Sequence, residues 1–387
     1  MTTDTENKNN GLAEVPAEGG ARSLRLLKVG LTHGDTNGIG YELIMKTFAE
    51  SSMMEICVPV VYGSPKIAAY HRKVLDMNVN FHNIASASEA EEGMLNLLDC
   101  CEDEVKVTLG QPDAEGGRAA LSALERAVED LKAGRIDVLV TAPVNKATIQ
   151  CDDFRFSGHT EYLSNRLGGE GDEPLMILSN DRMKVALVTT HQPLSQVAES
   201  ITGEQVERKI RLFNRSLRHD FLLSAPRIAV LALNPHAGDA GLLGTEEKDC
   251  IAPAVQAAFD SGIQCFGPYP ADGFFGAGHY RHFDGVLAMY HDQGLVPFKA
   301  LSMDDGVNFT AGLPYVRTSP DHGTAYDIAG KGTADENSFR QAVYMAIDVY
   351  RNRLSDDEAC AHPLKKQYHE RREDGDRQRH TTQEKAE

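Results

Sequence analysis

Val185-Ala186-Leu187-Val188-Thr189-Thr190-His191, Ile228-Ala229-Val230-Leu231-Ala232-Leu233-Asn234-Pro235-His236 and Val286-Leu287-Ala288-Met289-Tyr290-His291-Asp292 are three short, mostly apolar runs that each arrive at a histidine. Runs of this kind read as buried parallel strands. Open α/β sheets place their ligand sites just beyond the carboxyl ends of such strands. Three imidazoles delivered there can meet on one divalent metal and leave positions open for substrate. A single strand-end histidine is more often structural, so the metal reading rests on the three occurring together.

Around these runs the chain alternates strand and helix patterns. Leu24 to Leu31, Val58 to Tyr62 and Ile136 to Val140 read as strands. Helices are expected from Ile39 to Ala49, from Ile67 to Leu75 and from Ala119 to Leu131, where Leu121, Leu124, Val128 and Leu131 share one face. Gly134 is placed to end that last helix in the left-handed conformation. Thr202 and Gln205 form a capping box before a helix whose apolar face is Val206, Ile210, Phe213 and Leu217. Thr245, followed by Glu246 and Glu247, is expected to open a further helix with acids at its positive end. A final helix runs from Ser338 to Arg351. Strand–helix alternation predicts an α/β fold with a mostly parallel sheet core.

The chain has 387 residues, 41% hydrophobic and 25% charged, and a formal net charge of −18. Such length suits two lobes with a sizeable core. The acidity argues against nucleic acid or anionic membrane as partner, while a local cationic cluster still admits an anionic small substrate. None of the seven cysteines forms a CxxC pair, which points to a reducing compartment. No signal peptide or transmembrane-length apolar run is visible, so the cytoplasm is expected. Residues 1–23 and 356–387 are polar or charged and read as disordered tails, the second able to begin as an extension of the preceding helix.

Several strings carry candidate chemistry. Gly34-Asp35-Thr36-Asn37-Gly38-Ile39-Gly40 lacks the GxGxxG and Walker spacings and reads first as a tight turn needing glycine. His159 and Thr160 open a short helix and offer donors to an anion, although Thr160 could simply cap that helix. Lys299, Asn308 and Arg317 supply a cation, an amide and a guanidinium that would suit a phosphorylated substrate. The string His322-Gly323-Thr324-Ala325-Tyr326-Asp327-Ile328-Ala329-Gly330 has small residues that let a flat ligand approach the backbone. A plain glycine-rich loop does not explain its interleaved His, Thr and Asp.

Taken with Thr141-Ala142-Pro143-Val144-Asn145-Lys146, Gly158-His159-Thr160-Glu161, Asn234-Pro235-His236-Ala237-Gly238, Tyr290-His291-Asp292-Gln293-Gly294 and Leu313-Pro314-Tyr315-Val316-Arg317, these strings resemble the 4-hydroxythreonine-4-phosphate dehydrogenase family of the vitamin B6 pathway. The resemblance runs from about Leu24 to Val349. It implies the two-lobed isocitrate/isopropylmalate dehydrogenase-like fold, with a cleft between lobes. Lobe boundaries are expected at 24–140 with 300–355, which carries the cofactor loop, and at 141–299, which carries the histidines and dimer contacts. A homodimer with the active site at the subunit interface is implied as well. By resemblance, His191, His236 and His291 hold a divalent metal (Zn, Co, Mn or Mg), and His159, Thr160, Lys299, Asn308 and Arg317 contact the phosphorylated substrate. His322, Gly323, Thr324, Ala325, Asp327 and Ile328 hold NAD, with the Asp327 carboxylate favouring a ribose with free hydroxyls over a 2′-phosphate.

The activity implied is NAD-dependent oxidation of 4-phosphooxy-L-threonine, followed by decarboxylation to 3-amino-2-oxopropyl phosphate. No residue is singled out as general base. Two alternatives stand beside this reading: a dehydrogenase of threonate or erythronate 4-phosphate, and a non-redox metal- and phosphate-binding protein. The chain departs from the family at Thr36-Asn37 and Tyr41, where Pro-Ala and Pro are common, and at Asp305, where a basic residue is common.

Overall fold

The computed structural model describes residues 25–101, 105–150, 159–169, 171–301 and 304–361. Expectations about residues 1–23 and 362–387 lie outside them. The chain divides into two compact units, Met1–Gly158 with Ser319–Val343, and His159–Thr318 with Tyr344–Glu387.

The first unit is built on β1 (Leu27–Thr32), β2 (Cys57–Gly63), β3 (Phe81–Ile84), β4 (Leu95–Asp99) and β5 (Val138–Thr141), in the order β3-β4-β2-β1-β5. Every one of these pairings is parallel. Both faces of β1, β2 and β5 are covered, which is why they read as unbroken apolar runs. The helix Ala114–Lys132 begins five residues before its expected start, because Asp113 caps it by accepting from the Gly116 N–H at 2.7 Å. Leu121, Leu124, Val128 and Leu131 are all buried, each contributing about 1.5–3 kcal/mol by its removal from water. Gly134 follows with φ +66°, as expected of a helix-ending glycine.

The second unit is built on β6 (Leu175–Ser179), β7 (Lys184–Leu187), β8 (Ile228–Leu231), β9 (Cys265–Tyr269), β10 (Gly285–Ala288) and β11 (Val307–Ala311), ordered β11-β6-β7-β10-β8-β9. β7, β10, β8 and β9 run parallel, and β6 is antiparallel to both its neighbours. Their core gathers Met176, Leu178, Val185, Leu187, Leu231, Val286 and Phe298. The helix Gly203–His219 starts as expected, with Thr202 accepting from the Gln205 N–H at 3.2 Å. It buries Val206, Ile210, Phe213 and Leu217. A short strand, β12 (Arg317–Pro320), returns the chain to the first unit.

One expectation needs correction: the strands β7, β8 and β10 stop three to five residues before their histidines, so the imidazoles sit on loops or a helix start. A helix does follow Thr245, whose carbonyl accepts from the Asp249 N–H at 2.8 Å, and it opens with a π-helical turn, Glu247–Ile251, before the α-helix Ala252–Asp260. The last helix continues to Ala361, so residues 356–361 extend it, as the reading of that tail allowed. Among the described residues, no helix is long and apolar enough to cross a membrane.

Candidate active site

In the second unit β10 lies between β7 and β8, all three parallel. Their carboxyl ends therefore emerge on one edge, and with them the chain segments bearing His191, His236 and His291. Polar side chains tie these segments together. Thr189 Oγ1 donates to the Met289 carbonyl at 2.7 Å, linking the ends of β7 and β10. Gln293 Oε1 accepts from the Met289 N–H at 2.7 Å, and its Nε2 donates to the Ala232 carbonyl at 2.6 Å, linking β10 to β8. The buried Glu247 carboxylate accepts from the Leu233 N–H at 2.9 Å and the Asn234 N–H at 2.7 Å. The acid expected to favour a helix start instead satisfies two backbone donors at the end of β8, which would otherwise be orphaned.

The histidines differ in placement. The His191 and His291 rings lie 5.8 Å apart, centroid to centroid. His291 opens the helix His291–Leu301, and its Nδ1 meets Asp292 Oδ1 at 2.7 Å. That contact engages Nδ1 and leaves Nε2 as the ring nitrogen available to a ligand, the way carboxylates orient metal-binding imidazoles. His191 Nδ1 lies 3.7 Å from Glu161 Oε1. His236 is exposed and lies in a run of five residues, His236 to Ala240, with positive φ. Such backbone costs L-residues on the order of 1 kcal/mol each and tends to gather at functional sites. Among the described residues, no three His, Cys, Asp or Glu side chains stand close enough to hold a metal ion. The donor chemistry nevertheless suits one: two adjacent imidazoles, one already oriented by a carboxylate, with a third on the segment that follows the neighbouring strand β8.

Two cavities share Thr190, His191 and Gln192. One, of about 290 Å³, is also lined by Glu161, Glu173 and Lys209. The other, of about 420 Å³, is lined by Leu194, Val197, Tyr290, His291 and Asp292.

The expected phosphate contacts come from several elements of the second unit. His159 and Thr160 do open a helix, His159–Leu167, but their side chains lie outside what is described. Lys299 is eight residues beyond His291 on the same helix, about 12 Å along its axis. Asn308 and Thr310 alternate to the same face of β11, and Arg317 Nη1 donates to Thr310 Oγ1 at 3.3 Å. Burial pushes the Arg317 guanidinium down to about 10, with Glu161 acting in the opposite sense. Asn308 Oδ1 is buried with no hydrogen-bond partner among the described residues. A buried amide oxygen on the face that holds a buried guanidinium is a polar surface short of partners, which an ordered ligand or water would supply.

The candidate cofactor loop belongs to the first unit. Thr324 accepts from the Ile39 N–H at 3.2 Å through its carbonyl, and Tyr326 OH donates to Asp35 Oδ2 at 2.7 Å. Burial foremost, then the Asp35 carboxylate, push the Tyr326 phenol up to about 12. Asp35 also accepts from the Asn37 N–H at 2.9 Å and from Thr148 Oγ1 at 3.3 Å. It thus joins the Gly34–Gly40 turn, the segment after β5 and the candidate loop. The tight-turn reading of Gly34–Gly40 holds locally: Gly34 has φ +71°, and a Cβ there would collide with the Pro143 carbonyl. Asp327 is exposed, Ile328 is half-buried, and the cap position of their short turn belongs to Ala325, not Asp327.

Sequence reasoning missed Thr189, Gln293, Glu247 and the Asp35–Tyr326 pair. Their signal was a polar residue beside an apolar strand or a glycine turn, which identifies no partner.

Comparison with known proteins gives this arrangement its context. The family model described as "Pyridoxal phosphate biosynthetic protein PdxA" matches residues 55–346. The 4-hydroxythreonine-4-phosphate dehydrogenase of Bacteroides thetaiotaomicron is 59% identical over 351 residues, 91% of this chain and 96% of that protein. An Oceanobacillus iheyensis protein, provisionally named D-threonate 4-phosphate dehydrogenase, is 39% identical over 325 residues, 83% of this chain and 97% of its own. The crystal structure of 4-hydroxythreonine-4-phosphate dehydrogenase from Klebsiella pneumoniae superposes with a TM-score of 0.73 at 34% identity, covering 84% of this chain and 99% of that one. The chain belongs to the PdxA family of pyridoxal phosphate biosynthetic proteins.

Proposed function

We propose that this protein is an NAD- and metal-dependent 4-hydroxythreonine-4-phosphate dehydrogenase. It oxidises the secondary alcohol of 4-phosphooxy-L-threonine to the 3-oxo acid, which loses CO2 to give 3-amino-2-oxopropyl phosphate. One arrangement carries the reading: parallel β7 and β10 set His191 and His291 side by side, in a chain whose relatives bear this activity's name.

His191, His236 and His291 would hold the divalent metal, which when bound acts as a Lewis acid on the substrate hydroxyl. Asp292 holds the His291 ring in orientation. Arg317, Asn308 and Lys299, with His159 and Thr160, bind the phosphate. The chain from His322 to Ile328 takes the nicotinamide dinucleotide, anchored by the hydrogen bond from its Tyr326 to Asp35. A homodimer with a shared active site, working in the cytoplasm, completes the proposal. A second reading, oxidation of a four-carbon sugar acid phosphate, is favoured by the Oceanobacillus relative.

The test is NADH formation by purified protein and added metal with 4-phosphooxy-L-threonine and D-threonate 4-phosphate side by side. Turnover of the first, abolished by a chelator and by His236→Ala, supports the proposal. Preference for the second substrate selects the other reading. Metal binding without NADH formation from either would mark a non-redox binding protein.

A further inference from the structure

Cys101 follows β4 in the first unit, and its Sγ lies 3.7 Å from His33 Nε2. His33 is fully buried at the end of β1. Its ring stacks on Tyr41 at 5.0 Å and 10°, and Tyr41 stacks in turn on His71 at 5.0 Å and 29°. Tyr41 is held by accepting from the Ser64 N–H at 3.0 Å, and His71 Nε2 by the Thr36 carbonyl at 2.8 Å. His33 is therefore a fixed imidazole. Its Nδ1 has no partner among the described residues, so Nε2, facing the sulfur, is the ring nitrogen with a polar neighbour; the same Sγ lies 4.0 Å from the Ala119 carbonyl. Cys100 lies beside Cys101, and its Sγ is 3.7 Å from the Gly63 carbonyl. Cys101 itself is only half-buried.

We propose that Cys101, paired with the fixed His33 imidazole, is a reactive cysteine and a site of oxidation by hydroperoxides. Nothing in the dehydrogenase reading uses it. Cys100 first and His33 second lower the Cys101 thiol well below the ordinary range, against burial and the Asp99 carboxylate, while Cys100 is raised. A half-buried cysteine beside a fixed imidazole is a setting in which the thiolate becomes available as a nucleophile. In the reaction the Cys101 thiolate attacks one peroxide oxygen. An S–O bond forms as the O–O bond breaks, and the departing hydroxide takes a proton from solvent to leave as water. Sulfur loses two electrons, the peroxide gains them, and the product is a sulfenic acid.

The test is competitive labelling of the intact protein with limiting iodoacetamide at pH 6.5 and 8.5, read by peptide mass spectrometry. At pH 6.5 an ordinary thiol is about 1% thiolate. A preformed thiolate gains roughly a hundredfold in reactive form and, with its thiol lowered to about 5, gives back roughly thirtyfold through lower basicity. Cys101 is therefore expected to label roughly threefold faster than the exposed Cys360 at pH 6.5, with little change in its own rate at pH 8.5. After hydrogen peroxide, dimedone should mark Cys101, and dithiothreitol given before dimedone should erase the mark. His33→Asn should remove the advantage at pH 6.5. Labelling of Cys101 no faster than Cys360, or with an ordinary rise between the two pH values in the wild-type protein, overturns the proposal whether or not the variant folds.

Discussion

At the scale of single residues, buried ionisable groups give the sharpest expectations. His71 is almost completely buried, and burial lowers its imidazole to about 4, only partly offset by its bond to the Thr36 carbonyl. Its folded value lies below its unfolded value near 6.5, so the unfolded chain binds the proton more readily. The stabilisation is complete above pH 6.5 and is lost as pH falls towards 4, a change on the order of 3 kcal/mol. Urea unfolding at pH 7.5 and 4.5 checks this, and His71→Gln should flatten that step; equal slopes would assign it elsewhere. Arg317 is the second case. Its buried guanidinium, on β12 and bonded to Thr310 of β11, is a cation suited to an anion, and Arg317→Ala should raise KM for the phosphorylated substrate. Loss of a charge-assisted hydrogen bond, about 1.5–3 kcal/mol, corresponds to roughly 10- to 100-fold. Steady-state kinetics with phosphorylated and unphosphorylated substrates would show whether the effect depends on the phosphate.

At the scale of elements, caps and turns decide where local structure begins. Thr202→Ala removes the acceptor at the start of the helix Gly203–His219, at a cost of about 1 kcal/mol. The urea midpoint should fall while kcat stays unchanged, because that cap touches none of the histidine segments. The loop His322–Gly330 carries a different expectation. Exposed Asp327 repels a 2′-phosphate and accepts from ribose hydroxyls, the logic of the acidic residue in Rossmann folds. The wild type should prefer NAD, and Asp327→Lys with Ile328→Tyr should narrow that preference. The ratio of kcat/KM for NAD and NADP in both proteins is the measurement, and equal use of both by the wild type would place Asp327 away from the ribose.

At the scale of the whole molecule, the long final helix is tied to the helix Gly203–His219 and its cap by residues on both sides of the boundary that composition drew for a tail. Arg353 Nε donates to Asp220 Oδ1 at 2.7 Å, and Asp357 Oδ1 lies 3.1 Å from His219 Nε2. Asp220 first, then Asp357, raise the His219 imidazole. A raised folded value means stabilisation that is full below pH 6.5 and lost as pH rises through the folded value. Truncation after Leu354 should therefore lower Tm more at pH 6 than at pH 9. The effect should be about 0.5 kcal/mol or less, since these partners are partly in water. A chain spanning 25–361 should keep both wild-type stability and kcat.

The sequence by itself determined the α/β class, the main helices and the candidate histidines. Apolar runs such as Val138–Thr141 and amphipathic faces such as Val206, Ile210, Phe213 and Leu217 are local consequences of burial, and periodicity records them. It also carried the family resemblance, because the glycine, histidine and proline strings sit in a recognisable order. It could not place the strand ends. Apolar content continues past Leu187, Leu231 and Ala288, and only the pairing register decides where a strand stops. Nor could it foresee that Glu247 would cap the end of β8, that Gln293 would bridge two strands, or that His33 would face Cys101. Those contacts join residues between 13 and 68 positions apart, and polar partners at such distances are chosen by the sheet order that brings backbone and side chain together.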